Sequence, residues 1–157
     1  MISRLHQVAS RIRIELGELD NILSRINEGW NRAKKNEDMM YLDSVALNLH
    51  GLYSGLERLF ELIVMSVDGT MPEGENWHRE LLVQVAKDVP QVRPSVISEM
   101  SRNALDEYRG FRHVVRNVYT INFDPRKIGK LVEKIPDMYN QLKNELLAFA
   151  DFLYQAE

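Results

Sequence analysis

The stretch "ISRLHQVASRIRIELGELDNILSRINEGW", residues 2–30, decides the fold class because its apolar side chains recur at helical spacing. The recurring positions are Ile2, Leu5, Ala9, Ile12, Leu16, Leu19, Leu23, Ile26 and Trp30. Steps of alternating three and four residues place these side chains on one narrow stripe of a helix about eight turns long. Such a stripe is typical of a helix that packs in a bundle.

The middle of the chain repeats this pattern between turn signals. A second stripe comprises Leu42, Val45, Leu49, Leu52, Leu56, Leu59, Ile63 and Val67, and a later one comprises Ile97, Met100, Ala104, Tyr108, Phe111, Val115 and Val118. Between the two stripes, "DGTMPEGEN" predicts a loop, "WHRELLVQVA" a short helix, and the prolines of "DVPQVRP" the end of that helix.

The last helix is predicted to begin at Asp124-Pro125, where a capping carboxylate precedes a proline in the first turn. Pro136 predicts a kink or a break, after which apolar residues continue on one side. No segment shows the alternation of a strand. The sequence therefore predicts an all-α protein, an antiparallel bundle of four to five helices formed by one domain over residues 1–157.

Composition narrows the classes of function. The chain has no cysteine, which removes disulfides and thiolate metal sites, and its histidines show no metal-ligand spacing, so neither a metal nor another cofactor is predicted. The amino terminus is charged and amphipathic, and apolar runs such as "LIVM" are too short to span a membrane. We expect a soluble, cytoplasmic protein without a membrane segment.

Positive charge is concentrated in one part of this acidic chain. Residues 102–134 hold eight basic and four acidic side chains, so this segment carries +4 although the chain as a whole carries −3. Arg109, Arg112, Arg116 and Tyr119 each follow a stripe residue by one position, which predicts a cationic ridge beside the core. His113 and Asn117 are predicted on the opposite flank. Arginine side chains whose aliphatic parts cover the edge of a core would give the same arrangement of charged residues beside the apolar stripe.

The segment "RGFRHVVRNVY", residues 109–119, resembles the signature of HEPN-domain proteins of the HepT-like group. That motif is an arginine, four to six residues, a histidine, one residue and a tyrosine, and here Arg112, Asn117 and Tyr119 occupy its positions. The blocks "LHGLYSGLERLFELIVMSVDG", "ENWHRELL" and "ELLAFADFL" extend the likeness over most of the chain beyond the first helix.

The resemblance implies a helical bundle that forms a homodimer, with two copies of the motif facing one cleft. It also implies a metal-independent endoribonuclease that acts as a toxin. The partner would be a minimal nucleotidyltransferase that serves as antitoxin and attaches AMP to the motif tyrosine, here Tyr119.

The residues themselves support part of this chemistry. Arg112 can bind phosphate oxygens and stabilise a phosphorane, and Arg109 and Arg116 add positive charge for RNA. Asn117 stands where the motif has histidine, and an amide does not transfer protons near neutral pH. Two roles remain open: Asn117 orients a hydroxyl or a water, or His113 supplies the proton transfer. Because projection separates Arg112 from Asn117, we expect the helix to end near Val118 or a second protomer to complete the site.

Three classes of protein remain open on the sequence. The first is the toxin ribonuclease. The second is a non-catalytic HEPN partner that presents RNA, a nucleotide or another substrate to a nucleotidyltransferase. The third is a dimerising helical adaptor, which the regular first stripe would suit.

Overall fold

The computed structural model describes residues 3–156 and confirms an all-α bundle. Its helices are α1 (Arg4–Asn36), α2 (Met39–Ile63), α3 (Trp77–Val85), α4 (Glu99–Asn117) and α5 (Pro125–Gln155). A π-helical turn, Val64–Asp68, extends α2, and a 3-10 turn, Thr120–Asn122, precedes α5. No strand occurs within residues 3–156. None of the helices described there is long and apolar enough to cross a membrane.

The long helices pack as the apolar stripes predict. Two residues separate α1 from α2, so the two helices run antiparallel, and α5 packs along α1. The α1–α5 contact is close at Gly129, where a Cβ atom would lie 2.8 Å from Cη2 of Trp30. Ile2, the first position of the predicted stripe, lies outside the described residues.

The α2, α3 and α4 helices form the side of the bundle that carries the pocket described below. Both α3 and α4 pack on α2, and they also contact each other. The hydroxyl of Tyr108 in α4 donates to the carbonyl of Leu131 in α5 at 2.6 Å, and Phe111 packs against Phe123 after the turn. These contacts fix the face of α4 that remains free for solvent.

Two details of the sequence prediction are wrong. Met100 is 67% exposed because α4 begins at Glu99 under a Ser98 cap, and Ser101 is the residue that turns inward. The α5 helix does not break at Pro136 but continues to Gln155. Pro136 is exposed, while Ile135 and Met138 beside it are buried, so core packing on both sides offsets one missing backbone donor.

An ion pair holds the connections around α3. The guanidinium of Arg93 donates to both carboxylate oxygens of Asp68, at 2.6 and 2.8 Å, and to the backbone carbonyls of Gln84, Lys87 and Pro94. Both side chains are buried. The pair therefore joins the end of α2 to both ends of the α3–α4 connection and sets the position of α3.

Candidate functional site

A pocket of about 400 Å³ opens over α4 and the first turn of α3. We call it the arginine pocket, and its lining residues are His78, Arg109, Arg112, His113, Arg116 and Asn117. Five of these six residues were singled out from the sequence, and His78 was not. A single chain thus brings together the motif arginine, the motif asparagine and two histidines.

Arg112 and Asn117 line the same pocket of one chain, whereas the projection predicted that one protomer would not bring them together. At about 100° per residue the two side chains are about 140° apart, and Arg116 and His113 lie between them on the solvent side. The pocket covers that whole arc. The prediction that the helix ends near Val118 is confirmed, since Val118 has the extended φ of −120° and ψ of 135°.

Tyr119 lies elsewhere than predicted. The helical projection no longer applies beyond Asn117, and Tyr119 has an extended backbone, is 81% exposed and does not line the pocket. It is therefore not part of an arginine ridge. Its hydroxyl group is freely accessible two residues beyond the pocket.

The cations of the pocket differ in their partners. Arg109 donates to Asp106 at 2.8 Å, whereas Arg112 and Arg116 make no ion pair with any carboxylate within residues 3–156. Arg112 is half-buried and its Nε lacks a hydrogen-bond partner among the described residues. Two unpaired guanidinium groups in an open pocket are suited to an anionic ligand.

A polar face of α2 lies behind Arg112. His50, Tyr53 and Glu57 follow the stripe residues Leu49, Leu52 and Leu56 by one position, the same offset that sets the arginines of α4. Burial lowers the pKa of His50, and the positive charges of Arg112 and Arg116 lower it further, so this imidazole is neutral near pH 7.

Two atoms of this face are buried without a partner. They are Nε2 of His50 and the hydroxyl of Tyr53. Together with Nε of Arg112, these are the buried side-chain polar atoms that lack a hydrogen bond among the described residues. Burial raises the pKa of Tyr53, and the charge of Glu57 adds to the effect, so the phenol stays protonated. Such groups concentrate at functional sites.

Glu57 connects α2 to the pocket through His78. The Glu57 side chain is only 8% exposed, and its Oε2 lies 2.7 Å from Nδ1 of His78. The other ring nitrogen, Nε2, lies 3.5 Å from Nη1 of Arg112, at the outer limit of a hydrogen bond. Trp77 packs over the same imidazole with ring centroids 3.6 Å apart. Three neighbours therefore hold the ring of His78 in one orientation.

His113 and Asn117 are held by each other. The Asn117 amide nitrogen donates to the His113 carbonyl at 2.9 Å and lies 3.1 Å from Nδ1 of the His113 ring. Both residues are exposed. In this arrangement Nδ1 of His113 accepts, so the neutral imidazole carries its proton on Nε2.

Sequence reasoning missed His50, Tyr53, Glu57 and His78. The first three carried a detectable signal, because polar residues at steps of three and four ran beside an otherwise apolar stripe. His78 carried none, since only the packing of α3 on α2 and α4 brings it to Arg112. Within residues 3–156, no three side chains of the metal-binding types His, Asp and Glu form a cluster that could hold a metal ion.

Comparison with known proteins supports the class that the fold and the pocket suggest. Residues 44–153 match the family described as HepT-like protein, a span that includes α2 to α5 apart from the ends. The chain therefore belongs to the HepT-like group of HEPN-domain proteins. No curated protein sequence and no solved structure gives a significant match.

Proposed function

We propose that this protein is a HEPN-type toxin, a metal-independent endoribonuclease whose arginine pocket binds the scissile phosphate of RNA. The observation that carries the proposal is the pair of guanidinium groups of Arg112 and Arg116. No carboxylate of the described chain neutralises them, and they line an open pocket together with two histidines. Membership of the HepT-like family supports a toxin-type function.

The chemistry proposed is attack of a ribose 2′-oxygen on the adjacent phosphorus. The P–O5′ bond breaks, and the products end in a 2′,3′-cyclic phosphate and a 5′-hydroxyl. Arg112 donates in a bidentate fork to the non-bridging oxygens, where negative charge increases in the transition state. Arg116 and Arg109 bind the flanking phosphates of the strand.

Inducible expression tests the proposal in cells. The chain expressed alone should arrest growth and degrade RNA, and co-expression of a neighbouring nucleotidyltransferase gene should relieve both effects. Unchanged growth and intact RNA, at protein levels verified by immunoblot, would contradict the toxin proposal.

One observation favours a second candidate, the non-catalytic HEPN partner. Asn117 fills the motif's histidine position, and its amide is bonded to His113. If this candidate is right, the purified chain binds RNA or a nucleotide in the arginine pocket and leaves the RNA intact.

We infer that a nucleotidyltransferase antitoxin modifies Tyr119. The phenol oxygen would attack the α-phosphorus of ATP, pyrophosphate would leave, and the phenolic proton would pass to solvent. Tyr119 is suited to this reaction because its side chain is 81% exposed and follows the pocket residue Asn117 by two positions.

Intact-mass and peptide mass spectrometry after co-expression check this prediction. We expect one added AMP, located on Tyr119, and no addition to Tyr119→Phe. Tyr154 is a suitable internal control because it is also exposed, at 56%. AMP on Tyr154, or equal modification of Tyr119→Phe, would disprove the assignment.

We also infer a homodimer with the two arginine pockets facing one cleft. The segment after the pocket presents Ile121, which is 86% exposed, as an apolar side chain for contact with a second copy. Light scattering at micromolar concentration should give twice the chain mass, and Ile121→Asp should shift it toward the monomer. A strictly monomeric wild-type protein would contradict the dimer.

A further inference from the structure

The arginine pocket needs a proton acceptor that the motif does not supply. Asn117 occupies the histidine position, and an amide does not act as a base near neutral pH. His113 has its Nδ1 bonded to Asn117, so the nitrogen directed away from Asn117, Nε2, carries a proton and has no lone pair. Neither Asn117 nor His113 is therefore arranged to accept a proton.

His78 has the opposite arrangement. The carboxylate of Glu57 only accepts hydrogen bonds, so the 2.7 Å contact requires a proton on Nδ1 of His78. The neutral ring then has its lone pair on Nε2. This nitrogen lies 3.5 Å from Nη1 of Arg112, and both residues line the pocket. Glu57 thereby fixes the tautomer in which the lone pair is next to the phosphate-binding guanidinium.

We propose that His78 is the general base of the ribonuclease and that Glu57 is the residue that positions it, an inference that rests on the proposed function above. His78 Nε2 accepts the proton of the 2′-hydroxyl while the 2′-oxygen bonds to phosphorus. The P–O5′ electron pair leaves with O5′, which takes a proton from water, and His78 returns its proton to solvent. Arg112 next to Nε2 would hold the phosphate within reach of this base.

The surroundings of His78 are suited to this role. Its side chain is 23% exposed, which leaves the ring accessible from the pocket while Trp77 and Glu57 restrict its rotation. The charged groups around it include Glu57 and Glu61 from α2 and Arg112 from α4, and Arg109 and Arg116 line the same pocket. Burial raises the pKa of Glu61, and the charge of Glu57 raises it further.

Replacement of His78 by asparagine tests the base directly, since the new amide can still donate to Glu57. We expect kcat on a short RNA to fall by about 10²- to 10⁴-fold, the usual contribution of a general base, with KM and RNA affinity close to wild type. His6→Asn, outside the pocket, is the control and should keep the wild-type rate. His113→Asn tests the alternative base. Circular dichroism verifies the fold of each variant.

Glu57→Gln tests the positioning role with a readout that packing alone does not change. The amide offers an N–H as well as a carbonyl oxygen to Nδ1 of His78, so it no longer fixes the proton on that nitrogen. We expect a reduced kcat with KM and RNA affinity close to wild type. This variant also keeps the proposal testable if His78→Asn does not fold. A wild-type kcat would show that Glu57 does not act through His78.

The outcomes separate the two proposals. A wild-type protein that binds RNA and does not cleave it contradicts the ribonuclease and, with it, the base. A wild-type protein that cleaves, with His78→Asn within threefold of its rate, overturns the His78 assignment alone. Loss of cleavage in His113→Asn and not in His78→Asn would assign the base to His113.

Discussion

Arg112→Ala should abolish RNA cleavage and growth arrest while leaving the bundle folded. Loss of one charge-stabilising donor in a transition state typically costs about 10²-fold or more in rate. Arg112 is the pocket cation that contacts His78, and no carboxylate of the described chain neutralises it. Cleavage assays with purified variants measure the loss, and a melting curve verifies the fold.

One further variant shows whether the loss of cleavage comes from the missing charge of Arg112 or from its missing hydrogen-bond geometry, and a second variant is the control. Arg112→Lys keeps the positive charge but lacks the bidentate fork, so we expect an intermediate rate. Arg102→Ala is the control on the same helix, because Arg102 pairs with Glu99 and does not line the pocket. Wild-type cleavage by Arg112→Ala would eliminate the proposed mechanism.

Arg93→Ala should destabilise the protein more than any substitution in the pocket. Truncation removes the only cation paired with the buried carboxylate of Asp68 among the described residues and leaves that carboxylate with the Gln84 amide as donor. It also removes a donor from three backbone carbonyls. Breaking one side of a buried pair costs about 3 to 5 kcal/mol. For a chain of this size, a loss of that order lowers Tm by roughly 6 to 20 °C. Because Arg93 sets the position of α3, surviving protein should also lose activity through a displaced His78.

Denaturant unfolding measures this effect against two comparisons. Arg13→Ala removes the exposed pair with Asp151 and should cost about 1 kcal/mol or less. Replacing both buried partners, as Arg93→Met with Asp68→Leu, should cost less than Arg93→Ala because no charge is left unpaired. Stability of Arg93→Ala within 1 kcal/mol of wild type would show that the pair does not hold these connections.

The helices could be predicted because their information is local. Apolar steps of three and four residues place Ile12, Leu49 and Leu142 in the core without knowledge of any neighbour, and all three are buried. Exceptions arise where tertiary packing overrides local preference. Pro136 predicts a kink or a break, yet α5 does not break there, because its neighbours on both sides are buried in the core.

The site could be predicted only as far as α4 extends. Arg109, Arg112, His113, Arg116 and Asn117 lie within nine residues, so one helix suffices to place them together. Glu57 and His78 are 21 positions apart, and they meet only because α3 folds back between α2 and α4. Tyr119 was misplaced because the end of α4 at Asn117 depends on how the turn packs through Phe123.

The most direct test of the ribonuclease is incubation of the purified chain with RNA in excess EDTA, followed by mapping of the product ends. We predict cleavage in EDTA with 2′,3′-cyclic phosphate and 5′-hydroxyl ends, retained in Arg102→Ala and lost in Arg112→Ala. Intact RNA, or cleavage that appears only when a divalent cation is added, would contradict the proposed ribonuclease.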